Sequence, residues 1–169
     1  MPSKLQPRII LTAMLAVALA AARSLPAQDL GIEVGKRAPG AIVRTLDGKQ
    51  VDIGQYVGKT PMFIEFWATW CPRCRDLEPA LLAAQKKYGA RVKFIGVAVS
   101  VNQTPERVKA YTQKHGLVHQ IVFDTDGNAA DAYDAPATSY VVVVDRTGKV
   151  VYTGLGGDQN LEAAIKKAL

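Results

Sequence analysis

Two runs of this chain, residues 61–68 and 92–99, are almost wholly apolar, and a segment of helical periodicity lies between them. A strand with no polar face is one covered on both sides, the pattern of a parallel or mixed sheet sandwiched between helices. Parallel neighbours cannot be joined by a tight turn, so the intervening segment has to be a crossover. That segment, 72–88, carries Leu77, Leu81, Leu82 and Gln85 at helical spacing, with Pro79 predicting a kink and Gly89 a stop.

The rest of the chain fits the same plan. Residues 41–53 read as a hairpin, with Ile42 and Val43 before a turn at Leu46-Asp47-Gly48-Lys49 and Val51 and Ile53 after it. Thr104-Pro105 is a cap followed by proline at a first helical position, predicting a helix to about His115 that Gly116 ends. A short strand over 120–123 and a short helix or turn over 127–133 come next, then a hairpin of 140–144 and 150–153 around Asp145-Arg146-Thr147-Gly148. An amphipathic helix over 158–169 closes the chain, with Leu161, Ala164, Ile165 and Ala168 on one face. This order predicts one α/β domain over 28–169, a three-layer sandwich with a mixed central sheet.

Cys71 and Cys74, the only cysteines, sit in Trp70-Cys71-Pro72-Arg73-Cys74. At this spacing one thiol attacks a disulfide and the other resolves the mixed disulfide that results. A strand ending at Ala68 and a helix beginning just past Cys71 bring unpaired N–H groups and the helix dipole to bear on that sulfur. Cys71 is then the exposed, acidic nucleophile; Pro72 needs no donor at the first helical position, and Arg73 and Arg75 add positive charge. Cys74, one turn further, is expected to be more buried and to keep its proton until a base removes it. A structural bridge and half of a metal site are the other readings of the pair. A loop this short gains little from cross-linking, and no further metal-type ligand lies nearby.

Glu65 is the candidate base, a carboxylate among Ile64, Phe66 and Trp67, where burial would raise its pKa toward neutrality. The alternative is that Glu65 lies at the exposed end of its strand or pairs with a lysine. Trp67 reads as core packing and Trp70 as a shield for the nucleophile. His115, beside Gly116, suits a helix C-terminus, and both it and His119 read as structural or surface residues.

The N-terminus carries Lys4 and Arg8, then an apolar run over 9–22 and small residues through Ala27, the pattern of a secretory leader over 1–27 or of an uncleaved anchor. Lys4, Arg8 and Arg23 have no acidic counterpart there, so half of the formal +6 charge belongs to that segment. No Lys/Arg run with interleaved aromatics follows, which argues against nucleic acid as a partner.

The run Phe63-Ile64-Glu65-Phe66-Trp67-Ala68-Thr69-Trp70-Cys71-Pro72-Arg73-Cys74 resembles the active-site segment of the thioredoxin superfamily, and its Phe66–Cys71 portion most resembles the extracytoplasmic TlpA/ResA-type branch. Glu65 matches the family's buried acid, and Pro79 its helix proline. The similarity spans about residues 34–169 and implies a thioredoxin-like fold with an N-terminal hairpin and an inserted helix and strand near 104–123. It further implies a monomeric, exported oxidoreductase whose redox group is its own disulfide, with no other cofactor and no metal. Such a protein reduces protein disulfides, for example in cytochrome c maturation, and is recharged by a membrane electron-transfer protein. Trp70, Pro72, Arg73, Thr138 and Ser139 fall at the family's substrate-facing positions. One departure stands out: family members carry a cis-proline before the strand that begins near Tyr140, where gapless alignment here puts Ser139, with Pro136 three residues early; either Ser139 replaces the proline, the preferred reading, or a longer loop lets Pro136 serve.

Thiol-dependent peroxide reduction on the same fold is a second enzymatic reading, opposed by the two-residue spacing. A non-enzymatic copper chaperone or scaffold is the third; it lacks the wider cysteine spacing and partnering histidine that copper sites of this fold use.

Overall fold

The computed structural model describes residues 31–169, and the expected leader over 1–27 lies outside them. The apolar runs become β3 (Met62–Trp67) and β4 (Lys93–Val99), parallel neighbours with Phe63 opposite Phe94 and Glu65 opposite Gly96. Around them a seven-stranded sheet assembles from β1 (Ile42–Thr45), β2 (Gln50–Asp52), β5 (Gln120–Asp124), β6 (Tyr140–Val144) and β7 (Val150–Leu155). Its order is β2-β1-β5-β4-β3-β6-β7, with β3, β4 and β5 parallel and every other pairing antiparallel. The helices are α1 (Pro72–Tyr88), α2 (Pro105–His115), α3 (Asn128–Ala132) and α4 (Leu161–Lys166).

Two elements differ from the sequence expectation. The first hairpin stops at Asp52, whose carboxylate accepts from the Gly54 N–H at 2.7 Å and turns Ile53–Tyr56 into a 3-10 helix. The last helix starts at Leu161, because the Asn160 side chain caps it by accepting from the Ala163 N–H at 3.0 Å. Neither change affects the layers.

The alternation of β3 sorts the core. Met62, Ile64 and Phe66 enter one cluster with Ile95, Val97, Tyr140 and Val142. Phe63 enters another, packed with Leu77 and Leu81 of α1 and Leu161 and Ile165 of α4. Trp67, on the same side as Phe63, joins Cys71, Cys74 and Val108 of α2 in a third. Glu65 lies between Phe63 and Trp67 and therefore points at the α1/α2 side of the sheet.

Its lateral neighbour Gly96 has no room for a side chain there. A Cβ at residue 96 would come within 2.7 Å of the Ile121 Cδ1, 3.0 Å of the Trp67 Nε1 and 3.1 Å of the His119 Nε2. Gly96→Ala is expected to destabilise the fold by about 1–3 kcal/mol through overpacking, read as a lower urea midpoint with an unchanged slope.

Candidate active site

α1 begins where β3 delivers the chain to the C-terminal edge of the sheet. Cys71 is the N-cap of this helix, Pro72 occupies its first turn, and the Cys71 Sγ accepts a hydrogen bond from the Cys74 N–H at 3.1 Å. An N-terminal N–H aimed at a sulfur is the contact that stabilises a thiolate once the pair is reduced. In this structure the two cysteines are joined as a disulfide.

Cys71 differs from expectation in exposure. Both cysteines are buried, each with 3% of its surface accessible, because the disulfide packs into the cluster of Trp67, Ala68 and Phe123. The exposed rim around them consists of Trp70, Pro72 and Arg73, and the Trp70 indole is fixed by donating to the Val101 carbonyl at 2.8 Å. Beside Trp70 opens a cavity of about 360 Å³, lined largely by apolar groups of Val99, Val101, Ala130, Ala137 and Thr138.

Glu65 is 4% exposed in the middle of a strand whose six residues are all buried, so neither an exposed strand end nor a lysine partner describes it. Burial, reinforced by the charge of Glu78, pushes its carboxyl up to about 8. At neutral pH the carboxyl therefore holds a proton in the oxidised protein.

The loop that leads into β6 corrects one expectation. Ser139 stands where the alignment put it, fully buried, with φ at +64°, and the described residues contain no cis peptide. Its N–H donates to the Phe66 carbonyl at 2.8 Å and its hydroxyl to the Gly156 carbonyl at 2.9 Å. Its carbonyl accepts from the Gly156 N–H and the Gln159 side-chain amide, both at 3.1 Å. Every backbone group of Ser139 is thus engaged internally, which leaves none to pair with a substrate chain. Thr138, half-buried at the cavity wall, is the residue of the two that faces outward.

Sequence reasoning missed the cluster behind Cys74. One turn along α1, the Glu78 Oε1 accepts from the Tyr111 hydroxyl and its Oε2 lies 2.8 Å from the His115 Nδ1, both partners coming from α2. The Tyr111 and His115 rings stack at 3.8 Å, and Tyr111 in turn packs on Trp67 at 5.5 Å. His115 does end α2 ahead of a left-handed Gly116, as its neighbour suggested, but its ring is bound to Glu78 rather than facing only solvent. The available signal was the helical spacing of Cys74 to Glu78 and of Tyr111 to His115. His119 is held well down, to about 4, by burial. Among the described residues no His, Cys, Asp or Glu side chains are grouped in threes to hold a metal ion.

Comparison with known proteins gives a consistent picture. A family model described as Redoxin matches residues 33–169. ResA, a thiol-disulfide oxidoreductase of Bacillus thuringiensis subsp. konkukian, is 29% identical over 139 residues, covering 80% of this chain and 79% of its own. ResA of Geobacillus kaustophilus is 28% identical over 174 residues and covers 96% of this chain and 97% of its own. Among solved structures, a thiol:disulfide interchange protein of the thioredoxin family from Chlorobium tepidum TLS superposes with a TM-score of 0.66 at 26% identity, over 80% of this chain and 97% of its own. The thioredoxin domain of a thiol-disulfide oxidoreductase from Bacteroides vulgatus reaches 0.69 at 22% identity, over 82% of this chain and 99% of its own.

Proposed function

From the premise that this chain belongs to the Redoxin family and is a thiol-disulfide oxidoreductase of the thioredoxin superfamily, we propose that it is an exported reductant of protein disulfides, with Cys71 attacking, Cys74 resolving and Glu65 moving the proton. The observation that carries this reading is a set of three groups placed by the β3–α1 unit. The Cys71 sulfur receives an N–H at a helix start, Cys74 lies one turn behind it, and a buried carboxyl with its pKa near 8 lies on the sheet beneath. A base for a thiol works best when its pKa lies near the operating pH.

The exposed Trp70, Pro72 and Arg73 supply the rim on which a substrate chain rests, Thr138 supplies its backbone contact, and the apolar cavity beside Trp70 accepts one of its side chains. Similarity to ResA supports a place in the reduction of cytochrome c apoprotein disulfides outside the cytoplasm, with electrons from a membrane protein. Export through the 1–27 leader predicts a mature N-terminus at Gln28, which N-terminal sequencing of the exported protein reads directly.

The deciding experiment is insulin disulfide reduction together with a redox titration. Wild-type protein is expected to accelerate insulin reduction, and Cys71→Ser to reduce it to the uncatalysed rate. The potential of the pair is expected below about −200 mV; a value above about −150 mV, toward the strongly oxidising end of the scale, would reverse the direction to disulfide donor.

A further inference from the structure

Glu78 is not required by the exchange chemistry, yet it is the most heavily engaged carboxylate near it. Both of its oxygens are taken, one by the Tyr111 hydroxyl and the other by the His115 ring. Its side chain retains 16% exposure and that of His115 26%, so the pair is partly shielded from solvent. Tyr111 is bonded to one acid and feels the charge of both: its phenol is held up by burial, by its bond to Glu78 and by the charges of Glu78 and Glu65, with Arg75 opposing. A hydroxyl kept protonated in this way remains a donor and fixes the Glu78 rotamer. The clasp is built by two separate helices, and neither cysteine needs it for its own hydrogen bonds.

We propose that Glu78, clasped by Tyr111 and His115, is a positioning residue that keeps the proton taken from Cys74 lodged on Glu65 while the disulfide is closed, ready to be returned when the disulfide is opened. The inference deepens the reductase reading and rests on it. During substrate reduction the Cys71 thiolate attacks one substrate sulfur and expels the other as a thiolate, which takes a proton from water. Cys74 then gives its proton to the Glu65 carboxylate and attacks the Cys71 Sγ. The Cys71–Cys74 bond forms, the mixed disulfide breaks, and the second substrate thiolate departs, two electrons having passed from the cysteine pair to the substrate. With Glu78 negative beside it, Glu65 retains that proton. When a donor dithiol later attacks the Cys71 Sγ, Cys74 leaves as a thiolate and recovers the proton from Glu65.

The groups facing this pair are few. Cys74 and Arg75 come from α1, Tyr111 and His115 from α2, and His119 reaches over Gly96 from the lead into β5. Arg75 is exposed, and burial keeps His119 uncharged at neutral pH, so Glu78 is the charge that joins burial in setting Glu65.

The test reads the Glu65 proton itself. In the oxidised protein, the infrared carbonyl band of a protonated buried carboxyl is titrated from pH 5 to 10, with Glu65→Gln identifying the band by its loss. Glu78→Gln is expected to move the midpoint down by roughly one pH unit, since a neighbouring like charge has been removed while an acceptor for Tyr111 remains. Tyr111→Phe leaves Glu78 charged but unclasped, and is expected to move the midpoint the same way by less. The rate of opening by a donor dithiol, corrected for donor thiolate, should begin to fall correspondingly earlier in Glu78→Gln. A midpoint in Glu78→Gln equal to wild type overturns the proposal, because a purely structural role predicts that result. The band needs no turnover, so a wild-type protein that fails to reduce insulin sinks the reductase reading alone, and an unmoved midpoint sinks only the role of Glu78.

Discussion

Cys74→Ala is expected to convert a turning-over enzyme into a covalent trap. Cys71 keeps its place at the head of α1, so the first attack on a substrate disulfide proceeds. Without a second thiol one turn away, the mixed disulfide has no internal route to release. Stoichiometric adducts sensitive to reducing agent should accumulate on non-reducing gels, and mass spectrometry of the adducts from whole cells identifies the natural partners. A variant that captures no partner while wild type reduces insulin would mean that protein disulfides are not the substrate.

The second large effect concerns stability. Glu65 has its pKa raised from 4.5 to about 8 in the folded protein. For a carboxyl displaced upward, the unfolded chain ionises first. Stability attributable to this group is therefore complete below pH 4.5, declines as pH climbs toward 8, and levels off above it. Over that window the loss amounts to about 5 kcal/mol, with about 3 kcal/mol already gone at pH 7, since a tenfold change in proton affinity is worth roughly 1.4 kcal/mol. Glu65→Gln removes the titration and should be more stable than the oxidised wild type by a few kcal/mol at pH 9, with the advantage shrinking toward zero near pH 4. Because the amide is itself costly to bury, the gain will fall below the full figure. Denaturant unfolding at the two pH values measures it. The same variant should lose about 10²-fold in the resolving step at neutral pH. Greater stability together with slower chemistry is the signature of a carboxyl retained for its reactivity; equal unfolding curves at pH 9 would contradict its burial as an acid.

What the sequence made legible was the part of the site built from consecutive residues. Strand, turn and helix around Cys71 and Cys74 follow from an apolar run, two cysteines and a proline, and Glu65 declares itself by being the one charge in that run. The clasp on Glu78 was less accessible, because it depends on how α2 lies across α1. Local pattern shows that Tyr111 and His115 share a helix face but not what that face meets. The burial of the cysteines was likewise hidden, since it comes from Trp67 and Phe123, on β3 and β5. Ser139 was placed by alignment alone, and its internal hydrogen bonds arise from Phe66 on β3 and from the 156–159 loop, both distant in sequence.

Ser139 also fixes the course of its loop. Proline is held near φ −65° and has no N–H, whereas residue 139 sits at +64° and gives its N–H to Phe66. A proline at residue 139 would therefore conflict with the backbone course and break the link to β3 in a single step. Through its N–H, hydroxyl and carbonyl the serine ties β3, the start of β6 and the 156–159 loop together, so a disturbance at any one of them is passed to the other two.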